Sequence, residues 1–337
     1  MRGLIALVAA LLLGAVSLAP VAAQDATPST GGMLSGAELG LEELSIRLTD
    51  TAYEGVPAEV TTGRYLYTFE NASSAPGGLN FMQLPEGMTA EDLAAMGMEP
   101  EASPAAEEHM HATPAEEAQG EEGGEEGGGI PDWFYEVAIA GGAFIEPGQT
   151  AQGIVEFTVA GNWVAWGEDP TVPQPPVGFT VTEGMASPEP GPEPAASVTV
   201  YEENTPDGFV FRFEGTFTPG QQLVKIVNNS DQPHFVDWTL SPVPITLEQL
   251  QQIFGAFETG TPAAGLPSPE ELVSVAFAGT QSRGTTQWLL IDLQPGTYIV
   301  ACFIPDPGRD FVPHAFEGMV EIVTVGESEM PGATPEA

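Results

Sequence analysis

Apolar residues in this chain fall in short runs rich in aromatic and β-branched types, among them 65–69 (Tyr-Leu-Tyr-Thr-Phe), 209–213 (Phe-Val-Phe-Arg-Phe), 223–227 (Leu-Val-Lys-Ile-Val) and 298–301 (Tyr-Ile-Val-Ala). Gly, Pro, Asn and Asp close the runs, so the pattern predicts an all-β chain, a sandwich or a barrel. Helical spacing shows in two places. Residues 246–257 read as a helix capped by Thr246 with Glu248 and Gln249 in its first turn, and a weaker helix is predicted over 269–277.

The pattern also repeats. Residues 60–96 align without gaps on 217–253, an offset of 157 that places Gly63 on Gly220, Asn71 on Asn228, Pro76 on Pro233, Thr89 on Thr246 and Leu93 on Leu250. Farther on, an offset of 135 places Thr150, Gln152, Gly161 and Trp163 on Thr285, Gln287, Gly296 and Tyr298. Two tandem copies of one β-fold follow, expected over 41–184 and 197–326, with short helical insertions. Segments 24–40 and 327–337 read as flexible ends, and 99–129, rich in Glu and Gly, as a disordered insertion inside the first copy. The Pro- and Glu-rich stretch 185–196 reads as a stiff spacer between the copies.

Met1-Arg2, the apolar stretch from Leu4 to Ala19 and the small residues Val21-Ala22-Ala23 predict a signal peptide over 1–23, with Gln24 opening the mature chain. The protein is therefore expected outside the cytoplasm, periplasmic or at the cell surface, with no stable membrane insertion after cleavage. Acidic residues number 48 against 7 Lys plus Arg, a formal charge of −41. That charge argues against nucleic acid and anionic membrane as partners and favours a basic partner protein. The one cysteine, Cys302, excludes an internal disulfide. In an oxidising compartment a lone thiol is a liability unless it is buried or bound to metal.

In the second copy the turn 228–233 (Asn-Asn-Ser-Asp-Gln-Pro) leads into His234; Cys302 follows the run 296–301, His314 follows Pro313, and four residues separate His314 from Met319. This order and setting resemble the cupredoxins, the type 1 blue copper proteins, over about 195–325. The resemblance implies Greek-key β-sandwiches and one mononuclear copper held by His234, Cys302, His314 and Met319. A thiolate and two imidazoles with a weak axial thioether suit both oxidation states of copper. Phe235, Trp238, Phe303 and Phe316 are expected to pack around such a site. The sequence departs from plastocyanin-like members in the interval between Cys302 and His314, eleven residues (303–313) here, whose Pro305, Pro307 and Pro313 favour a preset path. The competing reading makes Cys302 a buried core thiol and the histidines incidental.

The first copy carries Gly77 at the position of His234 and Trp166-Gly167 near that of Cys302, and no histidine precedes its last strand. It is expected to bind no type 1 copper. His109-Met110-His111, beside Glu107 and Glu108 in the acidic insertion, is either a weak copper-holding tract or a solvated charge run. Copper enzymes of this resemblance add sites built from many histidines, one directly after the type 1 cysteine. Here Phe303 follows Cys302 and the chain has four histidines in all, so no enzyme is expected. Single-electron transfer is the leading expectation; a copper carrier or buffer without redox cycling, and a metal-free β-sandwich interaction module, are the alternatives.

Overall fold

The computed structural model describes residues 32–97, 130–167, 174–184, 193–259 and 264–326. The segment expected to be a signal peptide, the acidic insertion with His109 and His111, most of the Pro-Glu spacer and the tail lie outside them. The first repeat comprises β1 (Glu42–Leu48), β2 (Tyr53–Glu54), β3 (Glu59–Thr61), β4 (Gly63–Asn71), β5 (Gly77–Gln83), β6 (Ile139–Ile145), β7 (Thr150–Phe157), β8 (Gly161–Trp166) and β9 (Val177–Thr182), with helices α1 (Gly36–Leu39) and α2 (Ala90–Gly97). The second comprises β10 (Val198–Thr205), β11 (Gly208–Gly215), β12 (Gly220–Asn228), β13 (His234–Ser241), β14 (Val273–Gln281), β15 (Thr286–Leu293), β16 (Gly296–Ala301), β17 (Pro305–Asp306), β18 (Val312–Pro313) and β19 (Val320–Val325), with α3 (Leu247–Thr259).

The chain is all-β and built of two copies of one sandwich, as the repeat predicts. In each copy the opening strand runs parallel to its neighbour, β1 beside β4 and β10 beside β12, and the remaining pairs of the two larger sheets match strand for strand except that β3 adds a parallel edge beside β9 in the first copy alone. Alternation explains the inward face: in β1, Leu44, Ile46 and Leu48 point to the core while Glu43, Ser45 and Arg47 are exposed. Central strands are covered on both faces and lose the alternation, so all but the last residue of β5 is buried.

The repeats share both sheets. One sheet runs β11-β10-β12-β15-β7-β4-β1-β2 and the other β19-β16-β13-β14-β6-β5-β8-β9-β3. Equivalent strands meet at the seam: β7 pairs with β15 through Ile154↔Trp288 and Gly153↔Leu289, and β6 pairs with β14 through Ala143↔Ala278 and Ala140↔Gln281. Each copy thereby covers the open sheet edge of the other, an edge that alone would invite aggregation. Gln287, fully buried, locks the seam by donating to the Gly279 carbonyl at 2.7 Å and accepting from the Gly142 amide at 3.1 Å. The backbones approach so closely there that a Cβ on Gly279 of β14 would collide with Asn80 Oδ1 and press on the Gly142 nitrogen of β6 at 2.9 Å.

Two local expectations are corrected. Residues 32–40 do not belong to a flexible end: Leu34 exchanges backbone bonds with the Gln152 side chain, and Leu34, Leu39 and Leu41 pack on Leu66, Ile154, Leu223 and Trp288 over the outer face of the seam. Apolar surface at the seam provides burial that the local composition did not announce. The weaker helix over 269–277 is a single 3₁₀ turn, Pro269–Glu271, followed by β14. Its Val273, Val275 and Phe277 are β-formers, and pairing with β13 on one side and β6 on the other decides for the strand. The helix expected over 246–257 is α3, opened by a reciprocal cap in which Thr246 N donates to Gln249 Oε1 at 2.9 Å and Gln249 N to Thr246 Oγ1 at 3.3 Å. Leu250, Ile253 and Phe254 of α3 seal Ile299, Ala301, Ala315 and Val320 on the outside of the second sheet.

Because the seam admits no side chain at Gly279, Gly279→Ala is expected to destabilise the protein by about 2 kcal/mol or more, the scale of overpacking. Urea unfolding followed by circular dichroism checks this, and an unchanged midpoint would show that β6 and β14 do not pack this closely at the seam.

Candidate metal centre

The turn before His234 is built by Asn228. Its Nδ2 donates to the carbonyls of Gln232 and Gln281 at 2.8 and 3.0 Å, and its Oδ1 accepts from Ser230 N and Ser230 Oγ, both at 2.9 Å. The same bonds recur in the first repeat, where Asn71 Nδ2 reaches the carbonyls of Ala75 and Ile145 and Asn71 Oδ1 accepts from Ser73. The cradle is thus a property of the fold. What differs is what stands in it: His234 in one copy, Gly77 in the other, where Leu48 fills the space a side chain would need.

His234, Cys302, His314 and Met319 are all buried with no measurable exposure. Cys302 Sγ lies 3.7 Å from His234 Nδ1 and 3.7 Å from His314 Nδ1, and the two Nδ1 atoms are 2.9 Å apart. Among the described residues this is the one cluster of three His, Cys, Asp or Glu side chains able to hold a metal ion. Met319 follows the same turn: its amide donates to the His314 carbonyl at 2.9 Å, and its carbonyl accepts from Cys302 N at 3.2 Å. Its backbone is thereby tied to both residues.

The outer ring nitrogens determine what the inner ones can do. His234 Nε2 is 2.6 Å from Ser230 Oγ. The single hydroxyl proton of Ser230 is directed at Asn228 Oδ1 and the Gln232 carbonyl, so toward His234 the oxygen accepts and Nε2 carries the hydrogen. Gln232 acts likewise on His314. Its Nε2 donates to Asp306 Oδ1 at 2.7 Å, which turns its Oε1 toward His314 Nε2 at 3.0 Å and makes that nitrogen the donor. Both imidazoles then present bare Nδ1 lone pairs to each other at 2.9 Å. Two acceptors at that distance repel unless a cation stands between them, and the Cys302 sulfur is the third donor facing the same point. Neutral imidazole is the metal-binding form, and burial favours it. The His234 pKa lies well below the usual histidine value through burial and the neighbouring His314, and burial brings His314 down to about 4. The donor set therefore fits one metal ion of copper's preference for imidazole and thiolate.

The interval of eleven residues between Cys302 and His314 is a hairpin. Pro305 and Asp306 face Pro313 and Val312, His314 N donates to the Ile304 carbonyl and Phe311 N to the Asp306 carbonyl, both at 2.9 Å. Asp306 Oδ1 also accepts from Gly308 N at 2.7 Å. Asp310 and Phe311 turn the chain with φ of 55° and 60°, in the left-handed region. The hairpin delivers His314 into a 3₁₀ turn, His314–Glu317, directly beside Cys302.

Around the centre, Phe209 packs on both imidazoles with centroids at 5.0 and 4.3 Å. Phe235 and Trp238 are buried as expected. Phe316 is corrected: it is 41% exposed, at the edge of the Phe254 and Phe303 rings, because the 3₁₀ turn points it away from the sandwich. Sequence reasoning missed Ser230, Gln232, Asp306 and Phe209. The repeat alignment did carry one signal, since Asn-x-Ser recurs at 71–73 and 228–230.

A buried acid marks the copper-competent copy as well. Glu202 and Gln281 occupy the strand positions that Leu48 and Ile145 hold in the first repeat, as judged by their registers with Asn228 and Asn71 and with His234 and Gly77. Gln281 Nε2 donates to Glu202 Oε2 at 2.8 Å, while Glu202 Oε1 and Gln281 Oε1 have no partner. Burial raises the Glu202 pKa to about 8, against a smaller lowering from Gln281. At neutral pH it is a carboxylic acid.

Its structural neighbours include copper proteins. Auracyanin A, a "blue" copper protein from Chloroflexus aurantiacus, is 18% identical and covers 38% of this chain and 98% of its own, with a TM-score of 0.23. A multicopper oxidase is 16% identical over 85% of this chain and 89% of its own, TM-score 0.22. The copper nitrite reductase of Nitrosomonas europaea is 12% identical over 88% and 96%, TM-score 0.23. No family model matches the chain, and no curated protein matches it. Enzymes thus stand among these neighbours beside a blue copper protein. At such identities and TM-scores no residue role carries over, and the centre is read from its own geometry.

Glu202 yields a pH test. Unfolded, a glutamate ionises near its ordinary 4.5, whereas folded Glu202 keeps its proton to about 8. Across that window the native state binds more protons than the unfolded one, so this residue's contribution to stability falls as pH rises. The two histidines act oppositely, costing stability as pH falls below their ordinary 6.5. Glu202→Gln removes only the first dependence. The stability of the variant relative to the parent is expected to grow between pH 5 and pH 8 in denaturant titrations of metal-free protein, and a difference independent of pH would place an ionised Glu202 in the native state.

Proposed function

We propose that this protein is an exported single-electron carrier whose one copper is held by His234, Cys302, His314 and Met319. The observation that carries the reading is the pair of bare Nδ1 atoms 2.9 Å apart with a thiol sulfur 3.7 Å from each, in a site closed to solvent. When bound, copper supplies reversible one-electron exchange. The residues supply the rest. Ser230 and Gln232 fix the tautomers, Phe209 fixes the ring planes, and complete burial leaves no room for a substrate at the metal position.

A braced ligand set that changes little between oxidation states favours electron transfer over a carrier that must open to load and release its ion. The same enclosure supports a role without catalysis. Phe303 rather than histidine follows Cys302, and the other two histidines of the chain are His109 and His111. The net charge of −41 supports a basic redox partner drawn in by long-range attraction, with an association rate that falls as salt rises. The apolar segment before Ala23 supports export.

Titration of the mature protein with Cu(II) is expected to produce an intense visible thiolate-to-copper charge-transfer band saturating at one copper per chain. Cys302→Ala is expected to abolish the band, and Met319→Leu to keep it while shifting the reduction potential. A parent protein that binds no copper, or binds it without the band, would sink the reading.

A further inference from the structure

The first repeat carries no ligand, yet one of its side chains reaches the ligand hairpin of the second. Tyr135, in the 3₁₀ turn Asp132–Tyr135, donates its hydroxyl to the Pro305 carbonyl at 2.8 Å across 170 residues of sequence. We propose that Tyr135 is a positioning residue for the metal centre: through this bond the metal-free repeat holds the Cys302–His314 hairpin, and with it the separation of the two donors, in place.

Three observations carry the proposal. The first is a deficit in the hairpin itself. Pro305 stands opposite Pro313 next to the bond from His314 N to the Ile304 carbonyl, at the non-hydrogen-bonded position of the antiparallel ladder, so the Pro305 carbonyl faces away from the partner strand and takes its donor from outside the hairpin. The second is that the far end of the same segment is anchored. Four residues on from Tyr135, Ile139 N donates to Ser282 Oγ and Ser282 N to the Ile139 carbonyl, both at 2.9 Å. Ser282 adjoins Gln281, the register partner of His234. Residues 135–139 therefore span from the strand beside one imidazole to the hairpin that carries the other. The third is the internal comparison: the corresponding turn of the second repeat, Pro269–Glu271, offers only Pro-Glu-Glu and no aromatic hydroxyl. Burial, with the nearby Asp306 charge, raises the Tyr135 pKa, so the hydroxyl keeps the proton it donates.

The claim about the metal rests on the copper reading above; the claim about the hairpin does not, and the test separates them. Amide hydrogen exchange is measured by NMR on metal-free parent and Tyr135→Phe, which removes only the hydroxyl. A neutral hydrogen bond is worth about 1 kcal/mol, so the Phe311 and His314 amides are expected to exchange about fivefold faster in the variant, with the Glu136 and Val137 amides unchanged. Copper-loaded variant is expected to lose its metal to a chelator several-fold faster and to show a shifted charge-transfer band. Unchanged exchange at Phe311 and His314, or equal acceleration at Glu136 and Val137, overturns the brace whether or not copper binds. Selective acceleration of the hairpin without a change in copper release or in the band overturns its role at the metal. A parent that fails to bind copper refutes the preceding reading and leaves the hairpin claim to be judged by exchange alone.

Discussion

Two imidazole nitrogens with no hydrogen between them, 2.9 Å apart and out of reach of water, are the constraint on which the rest of this structure turns. Left alone they repel, and nothing in the interior would choose that arrangement for packing. It persists because their other nitrogens are committed. Ser230 has spent its proton on Asn228 and Gln232, and Gln232 has turned its amide to Asp306, so each ring donates outward and shows its lone pair inward. The cost of the inner contact falls on whatever cation the site receives, which is the physical meaning of a preorganised metal centre.

The two repeats form an experiment in which one copy keeps the scaffold and loses the chemistry. Asn71 and Ser73 make the same bonds as Asn228 and Ser230, so the cradle stabilises the turn in its own right and is not evidence of a ligand. The difference lies in Gly77 and Leu48 against His234 and Glu202. In the first repeat an aliphatic chain fills the hole, and burial is favourable at the usual rate for apolar surface. In the second, polar groups occupy the interior and each requires a partner; most have one, and Glu202, bonded to Gln281 through one of its two oxygens, keeps its proton.

Continuity of the sheets gives the silent copy a mechanical part. Strands β6 and β7 pair with β14 and β15 through the seam locked by Gln287, so the first repeat is a fixed wall beside the ligand hairpin rather than a tethered neighbour. The long interval between Cys302 and His314 becomes tolerable in that setting. A hairpin with proline on both sides of its ladder has little backbone bonding of its own, and its order comes from Asp306, Gln232 and the bond from Tyr135.

Much was legible from the chain alone, because local rules govern it. The run lengths and turn formers made the all-β class plain, the offsets of 157 and 135 revealed two copies, and Thr246 marked the start of α3. His234, Cys302, His314 and Met319 could be chosen because the chemistry of copper names its donor types and this chain has one cysteine and four histidines. Other features could not be read in this way. Whether residues 32–40 would dock, whether 269–277 would be helix or strand, and which way each imidazole would face depended on partners more than a hundred residues away or on the proton of a neighbouring hydroxyl. Donor identity is written residue by residue, and sequence by itself determined it. Donor geometry is a distance between strands, set by how two sheets join and how a hairpin is braced, and only the tertiary structure decided that.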